Sequence, residues 1–517
     1  MVPLSVKGTL KGFAPHWHSY ITDSLMLVPV SQTCHRLREV TVDNPLLWRH
    51  GYAKGRSSTF PVLLSRSGGV HLTLILSYDN TMDPEFRRVA FPRSQELHLV
   101  QLSAEQLQQL HTEFNSPWPF MEHLSISQRQ QMGRPISLLE SLPLHPDNMP
   151  KLRYLQLQSV SQFPPSGFPT LTHLFLSNIM IRENFHPHLL NFLSSCPKLI
   201  NLTLSGLNSD IPQPLTSPPS ILPSLQRATL MGLNKSARDY YLPLLAAHDR
   251  TDFALQVLWP GMAVRNFSLD ELIPKRNRKQ GTTLLAIAIH YDPVMHPTPR
   301  IPQASIPSVT AVSSSMATRV AGGSTTFSEL HRMLSSTDAL VDVRELWLVN
   351  VNQESIVFRG LFTTTSAVFP VLNRATLVVD HTSLPNYTPS LCMLHKQEMS
   401  ALGHVKTVRV IHGYSKFSSA GEPLDWTNTG RRVAEIPHSL DLSWMITQLQ
   451  SGDYHLPDTL VLQATEHFYM DQDQLDALRR LVAEVRVERI TALPGLPLPG
   501  FCVELAAGVE VSTTSMW

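Results

Sequence analysis

The 517-residue sequence has only four cysteines, at positions 34, 196, 392 and 502, with no paired spacing. That argues against a disulfide framework and a cysteine-based zinc site, and points to a reducing compartment, cytoplasmic or nuclear. An excess of charge is also lacking. The 42 basic residues offset 41 acidic ones for a net charge of +1, so no global field draws the chain to polyanions. The run Lys275-Arg276-Asn277-Arg278-Lys279 reads as a solvated loop rather than a nuclear-import or phosphate-binding patch. No charged start leads into an apolar run, and no apolar stretch approaches spanning length. Neither nucleic acid nor a membrane is therefore expected as a partner. The glycosylation triplets at Asn201, Asn266 and Asn386 carry no meaning outside the secretory route. Catalytic motifs are missing too: no G-x-x-x-x-G-K-[ST] loop, no G-x-S-x-G elbow, no H-E-x-x-H helix. His186-Pro187-His188 has no visible third ligand and reads as ordinary surface histidines at a helix start. The expectation is a protein without metal, cofactor or catalytic residues. A hydrolase or transferase hidden beyond residue 327 has no motif behind it.

What the sequence does contain is a recurring phrase: a proline, then aliphatic residues two, five and seven places later. It reads Pro150-Lys151-Leu152-Arg153-Tyr154-Leu155-Gln156-Leu157, returns at Pro169-Thr170-Leu171-Thr172-His173-Leu174-Phe175-Leu176, and again at Pro197-Lys198-Leu199-Ile200-Asn201-Leu202-Thr203-Leu204. Pro119, Pro223 and Pro370 head further copies. Looser ones run through Leu97 and Leu99, through Val343, Leu346 and Leu348, and through Val405, Val408 and Val410, with a ragged candidate at Leu460 and Leu462. The last two apolar positions alternate with polar ones, the period of a half-buried strand. The proline stands where a helix must stop. Before Pro197, Leu189, Leu190 and Leu193 keep helical spacing, so the unit reads as helix, stop, strand. One such unit cannot bury its own apolar face, but stacked neighbours can.

The phrase resembles the L-x-x-L-x-L core of leucine-rich repeats, and its proline spacings of 31, 19, 28 and 26 residues straddle their usual period of roughly 20–29. The asparagine or cysteine that often follows that core is mostly missing. The resemblance implies an α/β fold: an irregular leucine-rich-repeat solenoid with parallel strands on the concave side and helices and loops outside. The alternative is an ordinary α/β domain whose buried strands look alike.

A second resemblance lies near the start. Val28-Pro29-Val30-Ser31-Gln32-Thr33-Cys34-His35-Arg36-Leu37-Arg38-Glu39-Val40, then Asp43-Asn44-Pro45-Leu46-Leu47-Trp48, is similar to the second half of an F-box in the F-box-like proteins of mushroom-forming fungi. Val30, Cys34, Leu37 and Val40 fall on one helical face, and Leu46, Leu47 and Trp48 offer apolar anchors. Residues 62–74 fit the family's short helix, small-residue turn and first strand. The Leu-Pro-x-Glu opening of an F-box is not recognisable in residues 1–27. In that family the F-box grips a Skp-type adaptor of a cullin ubiquitin ligase. The resemblance thus implies adaptor binding through Val30, Cys34, Leu37, Pro45, Leu47 and Trp48. Read without it, residues 28–48 are a small helical cap for the solenoid.

The expected organisation is an F-box-like helical segment over 1–55, a repeat block over 56–290, a disordered Pro/Ser/Thr-rich insertion over 291–326, a second block over 327–490 and a tail over 491–517. Five prolines within 209–223 suggest a long loop inside one repeat. A last helix is expected over Gln472–Glu484 as a C-terminal cap.

Side chains alternate across a strand, so residues between the aliphatic ones face the concavity. These are His123, Ser125, Tyr154, Gln156, His173, Phe175, Asn201, Thr203, Arg227 and Met231, then Glu345, Trp347, Arg374, Thr376 and Arg409. Aromatic and arginine side chains dominate interface hot spots, which selects Tyr154, His173, Phe175, Arg227, Trp347 and Arg374 as partner-binding candidates. Two functions are open. One is a substrate-recognition protein for an SCF-type ubiquitin ligase, with adaptor and cullin at one end and an unknown protein substrate on the repeats. The other is a leucine-rich-repeat interaction scaffold with no ligase link.

Overall fold

The structure is a computed structural model that describes residues 27–54, 60–77, 84–129, 142–160, 163–179, 185–207, 222–233, 235–246, 253–259, 282–291, 305–322, 341–349, 369, 371–380, 391–396, 405–413, 438–491, 493–494 and 496–497. The 275–279 basic run, residues 1–26 and most of the 209–223 proline cluster lie outside them. The fold is α/β and its β-sheet is mostly parallel, with seventeen described strands. The chain divides into two compact units, at His248 and Asp249.

In the first unit one strand follows another in chain order: β1 (His50–Lys54), β2 (Leu72–Ser77), β3 (Ser94–Leu102), β4 (His123–Gln128), β5 (Tyr154–Gln158), β6 (His173–Ser177), β7 (Asn201–Ser205) and β8 (Arg227–Met231). Each pairs in parallel with the next. The expected phrase is thus one strand per copy, in register. Leu97, Leu124, Leu155, Leu174, Leu202 and Ala228 form one buried row, and Leu99, Ile126, Leu157, Leu176, Leu204 and Leu230 the next.

The proline has a more specific place than a helix stop. In each copy the amide two residues beyond it bonds the carbonyl just before it: Met121 to Trp118, Leu152 to Met149, Leu171 to Phe168, Leu199 to Cys196 and Leu225 to Leu222. Proline therefore occupies the second position of a four-residue turn, where its fixed φ is pre-set. The residue before it and the aliphatic residue after it are both buried. Strand ends repeat as well. Ser159, Asn178, Gly206 and Gly232 follow β5 to β8 with φ of 55, 49, 61 and 60°. The amides of the first three bond the carbonyls of Ser177, Ser205 and Met231 on the following strand, at 2.7–2.8 Å. Where leucine-rich repeats often carry asparagine, three residues past the last leucine, stand buried Val160, Ile179, Leu207 and Leu233.

The helices of this unit run over Leu27–Thr33, His35–Val42, Phe60–Arg66, Pro84–Ala90, Ala104–Gln109, His111–Phe114, Phe185–Ser194 and Lys235–Ala246. Helix Phe60–Arg66 and strand β2 cover most of residues 62–74, read above as a short helix, a turn and a first strand, but β1 precedes them and β2 is the second strand. Gly167 lets the unit close up: a Cβ there would lie 2.3 Å from the Phe192 carbonyl oxygen and 2.7 Å from Cys196 Sγ.

The second unit holds β9 (Phe253–Trp259), β10 (Leu284–Tyr291), β11 (Ser305–Val312), β12 (Met316–Gly322), β13 (Glu345–Val349), β14 (Arg374–Asp380), β15 (Thr407–Gly413), β16 (His438–Leu440), β17 (Thr459–Thr465), β18 (Phe468–Met470) and β19 (Glu484–Ile490). Pairing runs β9, β12, β11, β10, β13, β14, β15, β17, β19, parallel except across β10–β11 and β11–β12. β16 and β18 form a separate parallel pair. Two expectations are corrected here. Residues 305–322 lie inside the segment expected to be disordered, yet they form an antiparallel hairpin. Val309, Thr310, Val312, Thr318 and Val320 are β-branched and buried, and such side chains suit a pleated surface whatever the Ser/Thr content. The last helix spans Gln472–Leu481, capped by the Asp471 carboxylate, and stops before Glu484, where β19 begins.

Candidate functional site

The face of the first unit's sheet opposite the leucine rows is polar and aromatic. Parallel pairing sets Glu96, His123, Tyr154, His173, Asn201 and Arg227 side by side on consecutive strands. A second row, two residues on, runs His98, Ser125, Gln156, Phe175, Thr203 and Thr229. In-register pairing of identical phrases produces such ladders without further design, because side chains of one parity share one face.

Contacts along the first row run without a break from Glu96 to His173. The Glu96 carboxylate lies 2.9 Å from His98 Nε2 and 3.7 Å from His123 Nδ1. Burial alone would raise its pKa, but the imidazoles of His123 and His98 outweigh that and hold it well below the usual carboxylate range. The His123 ring meets Tyr154 edge-on at 4.2 Å, and Tyr154 stacks on His173 at 4.2 Å and 22°. Thr172 Oγ1 lies 2.9 Å from His173 Nδ1. Glu96, His123, Tyr154, His173 and Asn201 remain half-buried, so this row is a surface, whereas Arg227 is buried; in the second row Phe175 is half-buried.

The second unit treats the same face differently. Trp347 and Arg374 are the candidates there. Trp347 is only 3% exposed, and its indole donates to Glu345 Oε1 at 2.7 Å. It belongs to an apolar cluster with Ala254, Ala286, Val349, Val378 and Ile411, onto which Ile490, Leu493 and Leu496 pack. Trp347 is therefore a core residue and not a surface anchor. Arg374 stays exposed, its guanidinium 3.7 Å from Glu345. The partner-binding candidates that share an accessible face are Tyr154, His173 and Phe175.

The N-terminal segment also departs from expectation. The helix over residues 28–40 is broken at Cys34, whose backbone is extended at φ −152° and ψ 162°. Thr33 Oγ1 donates to the Val30 carbonyl at 2.7 Å, the acceptor a continuing helix would need. Val30, Cys34, Leu37 and Val40 consequently do not share one helical stripe. Leu37, Val40 and Leu46 are 43, 57 and 61% exposed. Cys34 and Pro45 are exposed, and Leu47 and Val30 are half-buried. Trp48, expected as an anchor for a partner, is fully buried; its indole donates to the Thr41 carbonyl and Arg66 lies 4.5 Å over its ring. It holds this segment to helix Phe60–Arg66.

His186 is likewise no surface residue. It is buried, its Nδ1 lies 2.6 Å from Tyr241 Oη, and burial lowers its pKa. His188 is exposed. Among the described residues no group of three or more His, Cys, Asp and Glu side chains could hold a metal ion, and no helix is long and apolar enough to cross a membrane. Neither a protein-family model nor a curated protein matches the chain.

Proposed function

We propose that this chain is a substrate-recognition protein of the F-box-like, leucine-rich-repeat kind. The sheet of the first unit is then the concave lining of an irregular solenoid, and its polar-aromatic row captures a target protein. Segment 27–48 docks a Skp-family adaptor of a cullin ligase. The protein itself acts by proximity, holding the target near the ubiquitin carrier. The observation that carries this reading is the unbroken ladder from Glu96 through His123 and Tyr154 to His173, half-buried on four consecutive strands. Rigid aromatic side chains on a regular scaffold make a pre-organised contact surface. Exposed Leu37, Val40 and Leu46 support the adaptor end; single exposed aliphatics are common, but three within ten residues are a candidate contact.

A second reading has its own observation. Trp48 is drawn into the core and the helix breaks at Cys34, which removes part of the surface an F-box would present. That favours a repeat scaffold with no ligase link. A pull-down of the full chain, probed for Skp-family adaptor and cullin, separates the two. Capture by the wild type that is lost in Leu37→Glu supports the ligase receptor. No capture by the folded chain leaves the scaffold.

A further inference from the structure

Within the second row of the first unit's open face, Ser125 and Gln156 are direct neighbours across β4 and β5, and both are completely buried. Among the described residues, Ser125 Oγ, Gln156 Oε1 and Gln156 Nε2 find no hydrogen-bond partner. Buried polar atoms in folded proteins are nearly always paired. Three unpaired atoms on two adjacent residues mark a place where the free protein is incompletely satisfied. His98 extends this buried floor on one side, and half-buried Phe175 ends it on the other. The rim is the accessible row of His123, Tyr154 and His173.

We propose that Ser125 and Gln156, closed off in the free chain, form a cryptic recognition point for an amide, which takes an Asn or Gln carboxamide, or the backbone amide, of an extended partner segment once the side chains beside them move aside. The proposal rests on the reading of this face as the partner-binding surface. A glutamine side chain offers N–H donors and a carbonyl acceptor side by side, and the group that satisfies both at once is another amide. The Ser125 hydroxyl adds a donor or acceptor beside it. The flat rings of Tyr154, His173 and Phe175 take the aliphatic or aromatic side chains that flank the amide. Charge sets the class further. Ionised Glu96 closes one end of the row, so a phosphate backbone or an acidic segment is disfavoured and a neutral peptide fits. A site of this kind discriminates strongly, because a partner lacking the amide leaves the buried atoms unpaired.

The test uses the full chain as bait for a displayed library of random dodecapeptides. Selected peptides should share an Asn or Gln at one position. Replacing it with Ala should weaken binding to the wild type about tenfold or more, yet change binding to Gln156→Leu less than about twofold, a coupling that reports direct contact. Gln156→Leu should itself melt about 2–4 °C higher, because it removes unsatisfied buried atoms. Equal loss on wild type and Gln156→Leu, absence of a shared amide residue, or an unchanged or lower melting temperature overturns the proposal. If peptides bind and are lost in Tyr154→Ala and Phe175→Ala but ignore Gln156→Leu, the amide site fails while the binding face stands. If no peptide is selected and the chain instead retains single-stranded oligonucleotides, both fail.

Discussion

Strand β5 allows a sharp test of which side chains hold the first unit together. Leu155 points into the leucine rows and is completely buried, while its neighbour Tyr154 is half-buried on the open face. Truncating a fully buried leucine to alanine costs about 2–5 kcal/mol, the spread reflecting how well the cavity collapses. The row around Leu155 is tightly filled by Leu124, Leu174 and their second-row partners, which places Leu155→Ala in the upper half of that range. Tyr154→Ala forfeits two ring contacts, to His123 and His173, each about 0.5–1.5 kcal/mol. Exposure on one side reduces the burial term, so the total is about 1–2 kcal/mol. With a urea slope of about 2–3 kcal/mol/M, the midpoint falls by about 1 M or more for Leu155→Ala and by about 0.5 M for Tyr154→Ala. Urea titrations followed by far-UV circular dichroism read both. A midpoint shift for Tyr154→Ala as large as that for Leu155→Ala would refute the sidedness of the strand, and with it the assignment of Tyr154 to a binding face.

Three further outcomes are expected. Cys34 is exposed, whereas Cys196 is buried with its thiol pushed up to about 12 by burial; peptide-level mass spectrometry should find iodoacetamide on Cys34 in the native chain and on Cys196 only after denaturation. Burial lowers the pKa of His186 in the fold, so its contribution to stability is complete above its unfolded value of about 6.5 and is lost as pH falls from there through the folded value. The urea midpoint should therefore drop between pH 7 and pH 5, and His186→Asn should flatten that drop; an identical slope would sink the assignment. A Cβ on Gly413 would lie 2.7 Å from Leu493 Cδ2 and 2.8 Å from its Cγ. Gly413→Ala should thus destabilise the second unit by about 1–2 kcal/mol, and Leu493→Ala in the same chain should recover part of the loss, which a double-mutant cycle measures.

The strand phrase was legible because period-two alternation and a turn proline are local signals, and local sterics enforce both. Which alternate face stays open is not local. Yet one clue was available for Trp347. In Tyr154-Leu155-Gln156-Leu157-Gln158 one parity is aliphatic and the other polar, whereas Leu346-Trp347-Leu348-Val349 is apolar at both. A strand apolar on both parities is buried on both faces, and Val378 and Ile411 repeat the pattern on the neighbouring strands. The hairpin at 305–322 was hidden by its Ser and Thr content, although Val309, Val312 and Val320 carry strand propensity. The burial of Gln156 leaves no trace in sequence at all, since Gln158 on the same strand is identical in type and only half-buried. The two units therefore differ in kind. Where both parities are apolar, the chain fills its own sheet face with Leu493 and Leu496. Where one parity is polar, self-coverage by apolar packing would strand donors and acceptors without partners. A segment that covers the first unit's face must bring hydrogen-bonding groups of its own, and this is the physical reason to seek the proposed partner there.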